Sequence, residues 1–263
     1  SGLVGSEMCI RDSISLIQQK MSETSIGIAR RQNILKELNI EGGQTIMDVG
    51  CGGGQLVEAI SLGVGVNGKA IGVDPSETQI VSAKDRCQSF ENTEFLCCYA
   101  DEIDMDDASC DSITSTQTLE YIEDVDAALN EIRRLLKNHS RFVNISTLWD
   151  YFGFHGPDKE LNSLMHEVVK GQKHPMLPTK LNGKLEKLGF KNIRTHEIPF
   201  FITKRDENSF AKFHEVNMVN AAIKKGISED QVDQWRKQLH QAEQEGSFAF
   251  TTFAIMTTGY INQ

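Results

Sequence analysis

Apolar positions along the chain alternate between two periods, and that alternation predicts the element order. Thr45–Val49 is a short apolar run of strand length, preceded by Gly42-Gly43 and followed by Gly50-Cys51-Gly52-Gly53-Gly54. Leu56, Ala59 and Ile60 then recur at helical spacing. The same exchange of period repeats down the chain. Ala70–Asp74 predicts a second strand, Ile80, Ala83, Cys87 and Phe90 the inner stripe of a helix, and Glu94–Tyr99 a third strand. Asp111–Thr116 predicts a fourth strand, and Val125, Ala128, Leu129, Ile132, Leu135 and Leu136 a helix ended by Lys137-Asn138. Arg141–Thr147 completes a fifth strand, and Ile26, Ile34, Leu35 and Leu38 place an amphipathic packing helix over 25–39 ahead of the first. Strands and helices that alternate in this way specify a parallel sheet covered on both faces.

The pattern changes character after residue 147. Residues 148–180 hold aromatics and histidines without a period, and read as an insertion rather than a sheet element. Lys180–Leu188 predicts a helix closed by Gly189, and Asn192–Thr203 a sixth strand. Two helices fill a second insertion at 204–246; the later one opens on Ser228-x-x-Gln231, a capping box, and buries Val232, Trp235 and Leu239. Ser247–Thr258 is the last strand. The fold expected is α/β: a Rossmann-like, mostly parallel seven-stranded sheet with an antiparallel last strand and a helical lid, forming one domain over 14–263.

The chemistry-bearing residues fall where the strands end. A ligand can come within hydrogen-bonding distance of the backbone after the first strand, because glycines carry no Cβ there. The following helix aims its unpaired N–H groups at the same point. Asp74 ends the second strand twenty residues after Gly54, where a carboxylate can take two O–H donors from a ribose. A dinucleotide fingerprint needs G-x-G-x-x-G, and both registers fail: from Gly50 the third position is Gln55, from Gly52 it is Val57. What stands there is Asp-x-Gly-x-Gly-x-Gly, with Asp48, Gly50, Gly52 and Gly54. An acid ahead of the glycines repels a pyrophosphate and suits an ammonium or sulfonium.

With that run and Asp74, the chain resembles the class I S-adenosylmethionine-dependent methyltransferases, in particular the branch that includes the ubiquinone and menaquinone C-methyltransferases. The motifs that carry the resemblance lie within residues 25–147; the remainder matches by layout, its late sixth and seventh strands fitting the reversed hairpin of that fold. The resemblance implies S-adenosylmethionine (SAM) as cofactor and S-adenosylhomocysteine (SAH) as product. It implies a cofactor site of Asp48, Gly50, Cys51, Gly52, Gly54, Asp74, Pro75, Asp101, Glu102 and Gln117, with Asp101 on the adenine amino group. The segment Gln117–Asp124 corresponds to the stretch that lies against the sulfonium. Two rival readings are a SAM-binding module without catalysis and a nicotinamide-dependent oxidoreductase, the latter opposed by the missing third glycine.

Methyl transfer displaces a sulfonium already activated, so the protein has mainly to align two ligands and exclude water. A base is needed only where the acceptor must lose a proton. Eleven of the thirteen phenylalanines follow residue 140; Phe248, Phe250 and Phe253 read as core of the last strand, and Phe152 and Phe154, directly after the fifth strand, as a lid or acceptor pocket of apolar and aromatic character. Tyr121, Trp149, Phe152, Phe154 and His174 are the expected pocket, and Glu120 a further titratable group beside it. His155 is the expected catalytic residue, in a lid over 148–158 that Gly153 and Gly156 allow to bend.

Composition narrows the partners. Net charge is −10, against a general nucleic-acid binder, and the segment after the fourth strand, Ser115-Thr116-Gln117-Thr118, lacks the Pro-Pro-aromatic slot that grips a flipped base. The acceptor expected is a small molecule. No apolar run approaches the roughly 20 residues a membrane span needs. Six cysteines show no C-x-x-C pair and no zinc spacing, so no metal is expected, and they read as reduced fillers in a cytoplasmic protein. Residues 1–13 stand apart: Glu7–Ser13 reads as an in-frame translation of a transposase adaptor used in sequencing libraries, expected to play no part in the fold.

Overall fold

The computed structural model describes residues 19–261; the expectation for residues 1–13 lies outside them. Ser25–Leu38 forms α1, capped by the Thr24 hydroxyl, which accepts from Gly27 N. Three strand–helix pairs follow: β1 (Thr45–Val49) with α2 (Gln55–Val64), β2 (Lys69–Val73) with α3 (Glu77–Arg86), and, after β3 (Thr93–Leu96), β4 (Cys110–Thr116) with α4 (Val125–Leu135). β5 (Leu136–Thr147) ends the parallel half. Beyond it come β6 (Gly153–His155), α5 (Lys159–Glu167), α6 (Pro178–Lys187), β7 (Phe190–Ile202), α7 (Phe210–Lys224), α8 (Glu229–Glu245) and β8 (Ala249–Ile261). The predicted elements are all found, with ends shifted by a few residues.

The strands lie in the order β3-β2-β1-β4-β5-β8-β6, with β7 on the other edge of β8. β1 to β5 run parallel, and β8 pairs antiparallel with β5, β6 and β7. Alternate side chains of one strand feed opposite faces. Ile46 packs with Ile34, Leu38 and Val57 beneath α1 and α2, whereas its neighbour Met47 packs with Leu129, Ile132 and Leu181 beneath α4 and α6. Each fully buried Leu or Ile contributes about 1.5–3 kcal/mol, so the sheet sits between two continuous apolar layers.

A third layer caps the right-hand end. There α5, α7 and α8 enclose Phe154, Trp235, Phe248 and Phe250. Trp235 Nε1 donates to Asn162 Oδ1 at 3.0 Å, so its one polar atom is satisfied inside the layer. Glu215 of α7 is 2% exposed and takes Arg205 Nη1 at 2.8 Å, Lys212 Nζ at 3.2 Å and Arg236 Nε at 3.3 Å. That knot fastens α7 to α8 and to the chain leaving β7.

One expectation is corrected here. Residues 148–180 are not wholly outside the sheet, because Gly153–His155 pairs with Ala249–Thr251 of β8. β8 outlasts β5 by several residues, and β6 takes up the backbone groups left over, as buried strand edges require. Among the described residues the sheet therefore has eight strands.

Candidate active site

A cleft of about 1990 Å3 opens over the carboxyl ends of β1, β2, β4 and β5, the crevice where such sheets hold ligands. Its left half is made of backbone. Gly50 N and Cys51 N donate to Val73 O at 2.7 and 3.0 Å, which pins the loop after β1 to the end of β2. Gly50 has φ +77°, and a Cβ there would stand 2.0 Å from Thr118 Oγ1, so only glycine fits between the β1 and β4 loops. Gly54, at φ +79°, caps α2; its Cβ would stand 3.0 Å from Ala83 Cα and force α3 away.

Asp74 fastens the two loops. One carboxylate oxygen accepts Gly52 N at 3.0 Å and the other Ser76 N at 2.9 Å. Ser76 in turn caps α3. Arg86 closes the back of the loop, donating to Gly53 O at 3.0 Å and pairing with Glu58 at 3.2 Å. Asp48 lies beneath, 3% exposed, with Oδ1 sealed from water and without a partner among the described residues. Burial, with the Asp74 charge adding to it, pushes its carboxyl up to about 7. The Cys51 thiol is likewise pushed far above its ordinary range by burial, then by Asp48 and Asp74, and is inert as a nucleophile.

The right half is built from side chains. Gln117, at φ +52°, leaves β4 in a conformation that non-glycine residues rarely adopt. Tertiary bonds hold it there: its N donates to Ile145 O at 2.7 Å, its Nε2 to Thr147 Oγ1 at 2.5 Å, and its Oε1 accepts Arg30 Nη1 at 2.8 Å. Glu120 is fully buried, and Oε1 accepts Thr147 N at 3.2 Å and Trp149 Nε1 at 3.4 Å. Burial raises its carboxyl above the usual range, those hydrogen bonds opposing. Trp149 forms a wall with Tyr121 edge-on at 6.1 Å.

Of the residues expected from sequence, the cleft brings together Asp48, Gly50, Cys51, Gly52, Asp74, Pro75, Asp101, Glu102, Gln117, Tyr121 and Trp149. Gly54 stands just behind as the α2 cap. Four residues do not line it. His155 points outward from β6, exposed, with Nε2 2.9 Å from Thr251 Oγ1. The pleat explains this: Phe154 faces the core at 0% exposure, so its neighbour must face the other way. The expectation of His155 beside a transferred group is corrected accordingly. Phe154 packs on Trp235 and Phe250 rather than on a ligand. Phe152 lies one layer back, its ring 4.7 Å from Trp149 and 4.8 Å from His214. His174 supports from outside, its backbone N donating to Glu120 O at 3.0 Å.

Residues that the sequence reading passed over fill the gap. Arg30 of α1 and Phe210, His214 and Asn217 of α7 all line the cleft. A signal existed in each helix. Arg30 sits four residues from both Ile26 and Ile34, a charge inside an apolar stripe, and His214 falls likewise between Phe210 and Met218.

Residues 40–243 match the sequence family described as a methyltransferase domain. The chain belongs to that family, whose methyl donor is S-adenosylmethionine. The demethylmenaquinone methyltransferase of Staphylococcus aureus is 32% identical over 117 residues, 44% of this chain and 48% of that protein. The chain thus spans about half the length of the curated relatives it matches. Among solved structures, the YcgJ protein of Bacillus subtilis superposes with a TM-score of 0.63 at 18% identity, over 89% of this chain and 98% of that one. A phosphoethanolamine N-methyltransferase 2 of Haemonchus contortus, solved with phosphomonomethylethanolamine and S-adenosylhomocysteine, gives 0.59 at 19%, over 89% and 53%. At such identities the likeness is one of fold.

Proposed function

We propose that the protein transfers the SAM methyl group to a small molecule with an apolar portion. The observation that carries this reading is the division of the cleft. One end is a glycine loop held by Asp74, suited to a ribose and an amino-acid tail; the other end of the same cleft is bordered by Trp149, Tyr121 and Phe210. Pockets for one ligand are commonly about 300–1000 Å3, and a cleft of about 1990 Å3 exceeds that range. In this reading Asp74 takes the ribose hydroxyls, Asp101 the adenine amino group, and Asp48 the ammonium of the methionine part. Gln117, fixed by three hydrogen bonds, stands between the halves where the methyl group passes.

The chemistry asked of the chain is alignment and exclusion of water. The demethylmenaquinone enzyme and the phosphoethanolamine enzyme both act on small molecules, which favours that class over nucleic acid, as does the net charge of −10. Incubation of the protein with methyl-deuterated SAM and a metabolite extract tests the proposal. The expected result is SAH together with a deuterated product in the low-mass fraction. Label confined to nucleic acid or protein, or no SAH formed above a protein-free control, overturns it.

A further inference from the structure

The right half of the cleft contains a buried charge with no ion pair in contact among the described residues. Arg30 is 5% exposed, and among the described residues no carboxylate oxygen lies within 4 Å of its guanidinium. Its partners are neutral: Gln117 Oε1 at 2.8 Å, Thr252 Oγ1 at 3.5 Å, and the ring of Phe210 5.0 Å from Cζ. Nε has no hydrogen-bond partner among the described residues. Burial lowers the guanidinium to about 10, with Glu120 and then Tyr121 acting through space to raise it, so it is charged at neutral pH. Glu120 acts on it through space and not in contact: its Oε1 accepts Thr147 N and Trp149 Nε1, while its Oε2 has no partner among the described residues. Burying an unpaired cation costs several kcal/mol, and proteins ordinarily pair such a group.

His214 lies against the same Phe210 ring, 4.5 Å between centroids, and stacks on Phe250 at 5.6 Å and 20°. It lines the cleft, and neither ring nitrogen has a hydrogen-bond partner among the described residues. Burial, then the Arg30 charge, holds the imidazole down to about 3, so it is neutral and offers one N–H and one lone pair. Two unfilled donor groups, one charged and one not, therefore border an aromatic chamber.

We infer that Arg30 and His214 form a receptor for a negatively charged oxygen on a flat apolar acceptor. The inference rests on the methyltransferase reading and adds a substrate class to it. The guanidinium supplies charge and donors, the imidazole a second N–H, and Phe210 and Trp149 sandwich the body that carries the anion. The cofactor's own carboxylate has the same chemistry, and the experiment separates the two sources.

Calorimetry on SAH-saturated protein with 2-naphthoate and its neutral isostere 2-naphthamide tests the inference. Naphthoate should bind about tenfold or more tightly than naphthamide, as one charge-assisted hydrogen bond implies. Arg30→Gln, which keeps a donor toward Gln117 but removes the charge, should erase the preference. His214→Phe, which keeps the ring packing, should weaken naphthoate alone. Arg30→Gln, relieved of a buried charge, should melt no lower than the parent, His214→Phe close to it, and both should bind SAH within about twofold of it. The inference fails if naphthoate does not bind, or binds no better than naphthamide. It fails equally if Arg30→Gln loses SAH affinity tenfold, which assigns the guanidinium to the cofactor's carboxylate. Failure of the parent protein to bind SAH at all would instead remove the methyltransferase reading.

Discussion

A carboxyl group sealed from water beside a second carboxylate is costly to ionise, and Asp48 is in that position. Its folded value, about 7, exceeds the ordinary carboxylate range, so the folded state holds this proton more tightly than the unfolded chain does. The stability it contributes is full below the ordinary value and is lost as pH rises through about 7. Asp48→Asn should therefore raise the melting temperature of the ligand-free protein more at pH about 8 than at pH about 5. A cationic ligand group beside Asp48 reverses its preference and expels the proton. SAH affinity should then climb as pH goes from about 6 to about 8, and Asp48→Asn should flatten the climb; parallel profiles for parent and variant would detach Asp48 from the ammonium. Asp74 acts differently, since both its oxygens already take backbone N–H groups. Asp74→Ala should weaken SAH by on the order of 1.5–3 kcal/mol for each charge-assisted hydrogen bond lost. It should also lower the melting temperature, because the loop and α3 lose their shared anchor; a calorimetric titration that gives parental affinity would leave Asp74 a purely structural tie.

The helical layer is the element on which the acceptor side depends, and α7 carries its weak points. Arg205 is 6% exposed and bridges Glu215 and Glu243 across α7 and α8. Arg205→Met should cost about 1.5–3 kcal/mol in urea titration, the worth of a hydrogen bond to a charged group, with Glu215 keeping Lys212 and Arg236; a loss below about 0.5 kcal/mol would class the knot with surface pairs. His214 and His166 are both held below the ordinary imidazole value by burial, to about 3 and about 4. Their contribution is full above about pH 6.5 and is lost as pH falls toward those values. His214→Phe should therefore lose less stability than the parent between about pH 6.5 and pH 4; identical acid profiles would contradict the burial of that ring.

At the scale of the whole molecule, the two halves of the cleft differ in how plainly the sequence announces them. The left half follows from backbone requirements: a turn at positive φ admits glycine, and a strand-end acid with a capping serine is a local pattern. Gly50, Gly54 and Asp74 were thus readable from spacing alone, as was the parallel direction of β1 to β5. The right half is assembled from α1, α7 and β8, which meet only in three dimensions. Arg30 and Thr252, 222 positions apart, share a hydrogen bond that no window of sequence contains. His155 misled for the same reason: an imidazole between two glycines resembles a lid, and only pairing with β8 shows that the pleat turns it outward.

Both halves must be filled for the account to hold, and the left half must be filled first. Thermal melting of the protein with SAH or NAD present is the most direct test of that claim. At a hundredfold excess over its dissociation constant, SAH should add about 2.7 kcal/mol of stability and raise the midpoint accordingly, with NAD leaving it unmoved. A midpoint raised by NAD and indifferent to SAH would contradict the account at its centre.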